Sequence, residues 1–173
     1  MKVIKCKLDI NSLGEAIKEL QDYRESINDK LRDFFDALLE NGRTEAITRL
    51  QSTVGDSTEG IITTEVLQSG GDTLQAVITL MGKDALFIEF GAGIAYNTGV
   101  QHPYASEFGY GVGTYPSKHP PNKAMNPGYW YYREEGNDKV VRSIGTQASM
   151  PIYYASETMR NNAIQKALEI FRS

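Results

Sequence analysis

From residue 2 to residue 10 apolar and polar positions alternate, with Cys6, Leu8 and Ile10 on one face and Lys5, Lys7 and Asp9 on the other. That period of two predicts a half-buried strand. The period then changes. Leu13, Ala16, Ile17, Leu20, Tyr23, Ile27, Leu31, Phe34 and Leu38 recur at threes and fours, which predicts an amphipathic helix of roughly 28 residues, on the order of 42 Å long. Ser12 and Glu15 supply a capping box at its start, and Gly42 suits the left-handed position past its end. A shorter helix over "RTEAITRLQ" is expected to follow.

"EGIITTEVLQ" and "DTLQAVITLM" read as two strands joined through the turn sequence "SGGD". In the second, Leu74, Ala76, Ile78 and Leu80 share a face opposite Thr73, Gln75, Val77 and Thr79. "DALFIEF" fits a third strand or a helical turn equally well. Residues 91–127 show no periodicity and hold five of the six prolines, so a long glycine-rich, mobile loop is expected there, and loops of that length are usually functional. "GYWYYREE" and "DKVVRSIGT" then predict a second hairpin around Gly136 and Asn137. Pro151 fits the first turn of a closing helix, with Ile152, Ala155, Met159, Ala163, Ile164, Ala167, Leu168 and Phe171 as its buried stripe. This order predicts an α+β fold, mostly antiparallel sheet packed against a long N-terminal helix and a C-terminal helix.

A length of 173 residues fits one domain, 1–173, able to bury a core without disulfide staples. Cys6 is the only cysteine, so a reducing compartment is expected. No apolar run is long enough to span a bilayer, and "MKVIKCKLDI" lacks the apolar core of a signal peptide. Net charge is −4, and its location is informative. Between Ser12 and Glu40 eight acids face four bases, so this segment carries the whole excess. No basic face of the kind nucleic-acid binders present is visible.

The stretch "FIEFGAGIAYNTGVQHPYASEFGYGVGTYP", Phe87 to Pro116, holds most of the candidate chemistry. Gly91 and Gly93 begin a G-x-G pattern, but Tyr96 stands where a dinucleotide fingerprint needs its third glycine, and no periodic helix follows. "GYGVG" lacks the Lys-Ser/Thr of a phosphate loop. His102 and His119 are the only histidines; a metal site would have to combine them with Glu89 or Glu107, without the helical spacing of a zinc hydrolase. Ser106 is not in a nucleophile elbow, and Cys6 lies on the predicted buried face, where a thiol is inert packing. The acids of the first helix are interleaved with Lys and Arg, as on a solvated face. Tyr129, Trp130, Tyr131 and Tyr132 place rings on both faces of one strand, as core and loop support or as a protein–protein contact.

Three stretches carry a family resemblance. "FIEFGAG" at Phe87–Gly93 resembles the hydrophobic-Glu-Phe-Gly-small-Gly signature of the tail-component family of long-tailed bacteriophages, the small neck or head–tail joining proteins. "GYWYYREE…SIGTQASMPIYYASETMRNNAIQKALEIF" is similar to that family's closing pattern of aromatic hairpin, Gly145, small-residue turn, Pro151 and terminal amphipathic helix. The long N-terminal helix followed by a strand pair is the third. The chain departs from the pattern at "STVGDSTEG", where many members carry Pro-x-x-Gly, and at Pro151-Ile152-Tyr153, where Pro-Phe is common.

The resemblance implies a non-enzymatic virion assembly protein without cofactors, built in the host cytoplasm and carried at the head–tail junction. It implies a ring oligomer that can be monomeric before assembly. Its partners would be further copies of itself, portal or head-completion proteins and tail proteins, with DNA passing through the ring unbound and no membrane involved. A ring joins two different patches of each subunit, and the glycine-jointed loop is suited to docking on a neighbour. Phe90, Tyr96, Tyr104, Phe108, Tyr110 and Tyr115 are its expected anchors. Glu15, Asp22, Asp29 and Asp36 are the candidate channel-facing acids, repelling DNA by like charge; the bland alternative is a solvated outer face. Two other roles remain open at this point: tail terminator or minor tail subunit, and a small metal-binding host enzyme using His102, His119 and Glu89.

Overall fold

The first helix does not stop where the glycine suggests. In the computed structural model α1 runs unbroken from Ile10 to Gln51, 42 residues, about 63 Å at 1.5 Å per residue. The structure describes all residues except 1–3, 5, 6, 8, 57, 58, 70–72, 94–99, 113–128, 134, 135, 137, 138 and 173. Asp9, not Ser12, caps α1: its Oδ1 accepts the Ser12 N–H at 2.9 Å, one turn earlier than the capping-box reading. Ser12 Oγ instead accepts the Lys7 N–H at 2.8 Å. Ile10 is therefore helical and not the end of a strand; Cys6 and most of the expected strand 2–10 lie outside the described residues.

Gly42 is buried within α1, and a Cβ placed on it would come 2.8 Å from both Cγ and Sδ of Met159. The residue that reads as a stop signal is instead the point of closest approach of a second helix, α3 (Pro151–Arg172). The separate helix expected after Gly42 is thus the last part of α1. α3 lies antiparallel on α1, as three contacts fix: the Arg49 guanidinium sits 3.7 Å from the Tyr154 ring centroid, Met159 meets Gly42, and Phe171 packs on Phe34 at 6.4 Å. Leu38, Leu39, Ala46 and Ala155 are buried in this helix pair.

The two strands after α1 are an antiparallel hairpin, β1 (Ile61–Ser69) and β2 (Thr73–Met81), paired from Ile61↔Met81 to Ser69↔Thr73. Leu74, Ala76, Ile78 and Leu80 are half-buried on one face, as their alternation predicts, and both strands lie against α1. "ALFIEF" is a short helix, α2 (Ala85–Phe90). Within the expected loop, β3 (Ala92–Gly93) pairs in parallel with β4 (Gly111–Val112), and a 3₁₀ turn covers Ala105–Phe108. The second hairpin forms as β5 (Trp130–Arg133) against β6 (Val140–Ser143). The fold is α+β.

A short central seam ties these parts together. Ala92 and Thr146 exchange backbone hydrogen bonds of 2.9 and 3.0 Å, Asp56 N–H reaches the Gly145 carbonyl at 3.0 Å, and Gln147 N–H reaches Val54 at 2.8 Å. The segment entering α3 is thereby clamped between the end of α1 and the end of α2. Gly145 has φ 93°, and a Cβ there would run into the Ala92 carbonyl, so only glycine fits.

Candidate functional site

The Phe87–Gly93 stretch acquires its meaning at the start of α3. Pro151 occupies the first helical position, and Met150 ahead of it has an apolar side chain that offers no oxygen as a cap. Glu89, the last residue but one of α2, supplies the acceptor instead. Its Oε2 accepts the Ile152 N–H at 2.9 Å and its Oε1 accepts the Tyr153 N–H at 2.8 Å. These are the two donors a side-chain N-cap satisfies, and the negative charge lies at the positive end of the helix dipole. The cap comes from 63 residues away in the chain.

His102 closes the arrangement. Its Nε2 lies 3.4 Å from Glu89 Oε1, the two side chains being 6% and 10% exposed. Its Nδ1 accepts the Tyr104 N–H at 3.1 Å, which leaves the proton on Nε2, pointing at the carboxylate. Burial pushes the His102 pKa below its ordinary value; the adjacent Glu89 charge and hydrogen bond oppose that shift without overcoming it. The imidazole is also ringed by aromatics: Phe90 at 4.5 Å, Tyr153 at 5.2 Å and Tyr104 at 5.8 Å. His102 is thus a packed, oriented side chain within the aperiodic stretch.

Around Phe90 the aromatic cluster continues to Tyr110, stacked at 5.5 Å, and Phe108 at 5.2 Å. Phe90 and Tyr110 are half-buried, whereas Tyr104 and Phe108 are 50% and 62% exposed. Four of the six expected anchors therefore lie in one aromatic cluster around Phe90 and His102, with Tyr104 and Phe108 open to solvent. Tyr96 and Tyr115 lie outside the described residues, as does His119. Glu107 is exposed, and among the described residues no group of three His, Cys, Asp or Glu side chains is placed to hold a metal ion. Beside the Glu89–His102 pair a groove of about 680 Å³ opens between β2, α2 and α3, lined by Leu80, Leu86, Tyr104, Ile152, Tyr153 and Arg160 among others.

A second surface lies on α1, and the amphipathic periodicity alone does not reveal it. α3 has 22 residues and, from the contact at Phe34–Phe171, it covers only the second half of α1. The first half extends past it by about 36 Å. On this overhang Ile10 is 90% exposed, and Leu13, Ile17, Leu20 and Tyr23 are about half exposed. Glu15, Asp22, Asp29 and Asp36, spaced every seven residues and all exposed, run along the opposite side of the helix. α3 adds an exposed pair, Ile164 and Leu168. Ile164, Leu168 and Phe171, at 76%, 42% and 41% exposure, depart from the buried stripe predicted for that helix; α1 is met through Tyr154, Met159 and one side of Phe171. Among the described residues no helix is long and apolar enough to cross a membrane. No protein-family model, no curated protein and no solved structure matches this chain.

Proposed function

We propose that the chain is a structural assembly protein of a tailed bacteriophage or prophage, a ring subunit that joins head and tail as a neck or tail-completion protein. The observation that carries this reading is the uncovered apolar stripe on the α1 overhang, from Ile10 to Tyr23. A free-standing soluble domain rarely leaves such a contiguous apolar surface in water, and a subunit that works in an assembly buries it there.

Two further features support the same reading. The exposed aromatic edge, Tyr104 and Phe108, rests on a rigid base of Phe90, His102 and Glu89, which is how a docking surface is preorganised. The acid row Glu15, Asp22, Asp29 and Asp36 points away from the apolar stripe, so burying the stripe between subunits leaves the acids facing outward, toward a channel through which DNA passes without sticking.

Immunogold labelling of purified particles tests the proposal. Label concentrated at the head–tail junction is expected. Label along the tail shaft or at its distal end assigns the chain to a tail terminator or minor tail role instead, and its absence from particles refutes a structural role.

A further inference from the structure

The uncovered stripe on α1 has a stricter pattern than amphipathicity requires. Ile10, Leu13, Ile17, Leu20, Arg24 and Ile27 alternate in steps of three and four, the 3.5-residue repeat of a coiled-coil seam. From Phe34 onward α3 covers the same side of the helix. The seam is built for a helix along its whole length and has one for only part of it.

We propose that a second copy of this chain covers the rest, the two α1 overhangs packing antiparallel against each other. The charges select both the occupant and the direction. Of the positions flanking the seam, Gly14, Ala16, Gln21, Tyr23 and Asn28 are uncharged, and the charged ones are opposite in sign, Asp9 falling beside Lys30 of the partner subunit in the antiparallel register, so the chain meets its own copy without like-charge repulsion at these positions. A parallel pair would set Arg24 against Arg24 of the partner subunit. In the antiparallel pair the seam layers match Ile10 with Ile27 of the partner subunit and Ile17 with Leu20 of the partner subunit. Arg24 then faces Leu13 of the partner subunit, one turn from the partner's Asp9, an opposite charge.

The same direction fits the end of α3. α3 is antiparallel to α1, so the partner's α1 runs in line with it and begins where α3 stops. The N-terminus of that helix, capped by the partner's Asp9, meets the C-terminal turn of α3 with Arg172 in it. Helix dipoles and side-chain charges are both complementary at this junction. A contact of about 30 Å between two helices is at the small end of stable interfaces, so the pairing depends on concentration. Both readings start from the same stripe, but the pairing does not rest on the head–tail reading. A two-fold pair closes on itself, which leaves the Tyr104 and Phe108 edge as the contact that would continue a ring. Trapping tests the pair in the free chain, whereas labelling of particles tests the location.

Disulfide trapping of the full chain tests it. In a Cys6→Ser background, chains carrying Ile10→Cys are mixed with chains carrying Ile27→Cys and oxidised, with far-UV circular dichroism confirming that helix content is unchanged. The expected result is a mixed Ile10→Cys/Ile27→Cys dimer, well above the crosslinking of either variant alone or of Glu25→Cys on the exposed side. Crosslinking of Ile27→Cys chains to each other at that level would overturn the antiparallel direction. Crosslinking no higher than in the Glu25→Cys control would overturn the second copy as occupant and leave the seam to another protein. Sedimentation of the unmodified chain supplies the measurement that needs no cysteine variant: at roughly 100 µM twice the chain mass is expected, falling to one chain mass in Leu13→Glu/Leu20→Glu. A single-chain mass for the unmodified protein would overturn the proposal.

Discussion

Glu89 and His102 face each other across 3.4 Å, both nearly excluded from solvent, and between them they hold the first turn of α3. Each satisfies a different set of backbone donors. Glu89 takes those of Ile152 and Tyr153, and His102 takes that of Tyr104. Three segments distant in sequence are joined at one point, which makes the pair a keystone of the fold beneath the exposed aromatic surface.

Removing the carboxylate should therefore be costly. Glu89→Ala orphans two part-buried N–H groups at a helix terminus and should lower stability by about 1–3 kcal/mol. Glu89→Gln keeps one acceptor oxygen and should lose about half as much. Urea unfolding measures both; a loss within about 0.5 kcal/mol of zero for Glu89→Ala would contradict the capping role.

The depressed pKa of His102 makes stability depend on pH with a definite sign. Its folded-state pKa lies below the ordinary 6.5 because burial disfavours the imidazolium. The unfolded chain thus binds more protons between those two values, and stability falls as pH drops below about 6.5 until the folded pKa is reached. Glu89 is the charged group facing it. His102→Gln should remove that component of the slope between pH 7 and pH 5 while leaving the contribution of the carboxylates. Parallel slopes for the two proteins would contradict this account.

Gly42 should tolerate little. The Met159 side chain already occupies the space a larger residue would need, so Gly42→Leu should cost about 1–3 kcal/mol by forcing α1 and α3 apart. Gly42→Ala should be much milder, because about 1 kcal/mol of helix propensity offsets the crowding. Chemical denaturation would show the difference, and equal stabilities for the two variants would refute close packing at this position.

Gly42 also shows what the sequence conceals. A glycine after a polar pair reads as a helix stop, and only the presence of α3 across from it reveals a close-packing site instead. The hairpins and α3 were legible because strand alternation, turn residues and Pro151 are local signals. The roles of Glu89 and His102 were not, because a cap donated across 63 residues leaves no spacing rule to read. His102 lies before a proline in an aperiodic stretch, where no period marks a buried face, and its burial depends on Phe90, Tyr104 and Tyr153 converging on it. The six-residue α2 was ambiguous in sequence for a simpler reason: a run that short has no period to measure. The exposed stripe on α1 has the same pattern as a buried one, and only the shorter length of α3 leaves it uncovered.

The acid row gives a prediction specific to the proposed function. Reversing Glu15, Asp22, Asp29 and Asp36 to lysine changes exposed positions only, so folding should be retained. In a particle the change should slow or block DNA ejection by adding positive charge to the channel wall. Ejection kinetics measured by fluorescence of released DNA decide the matter; unchanged ejection with the variant incorporated would place the acids on an outer face.

The central claim is tested most directly by electron microscopy of a lysate from a phage or induced prophage whose copy of this gene carries an early stop codon. The account predicts filled heads beside complete but unattached tails. Normal, infectious particles in that lysate would contradict it.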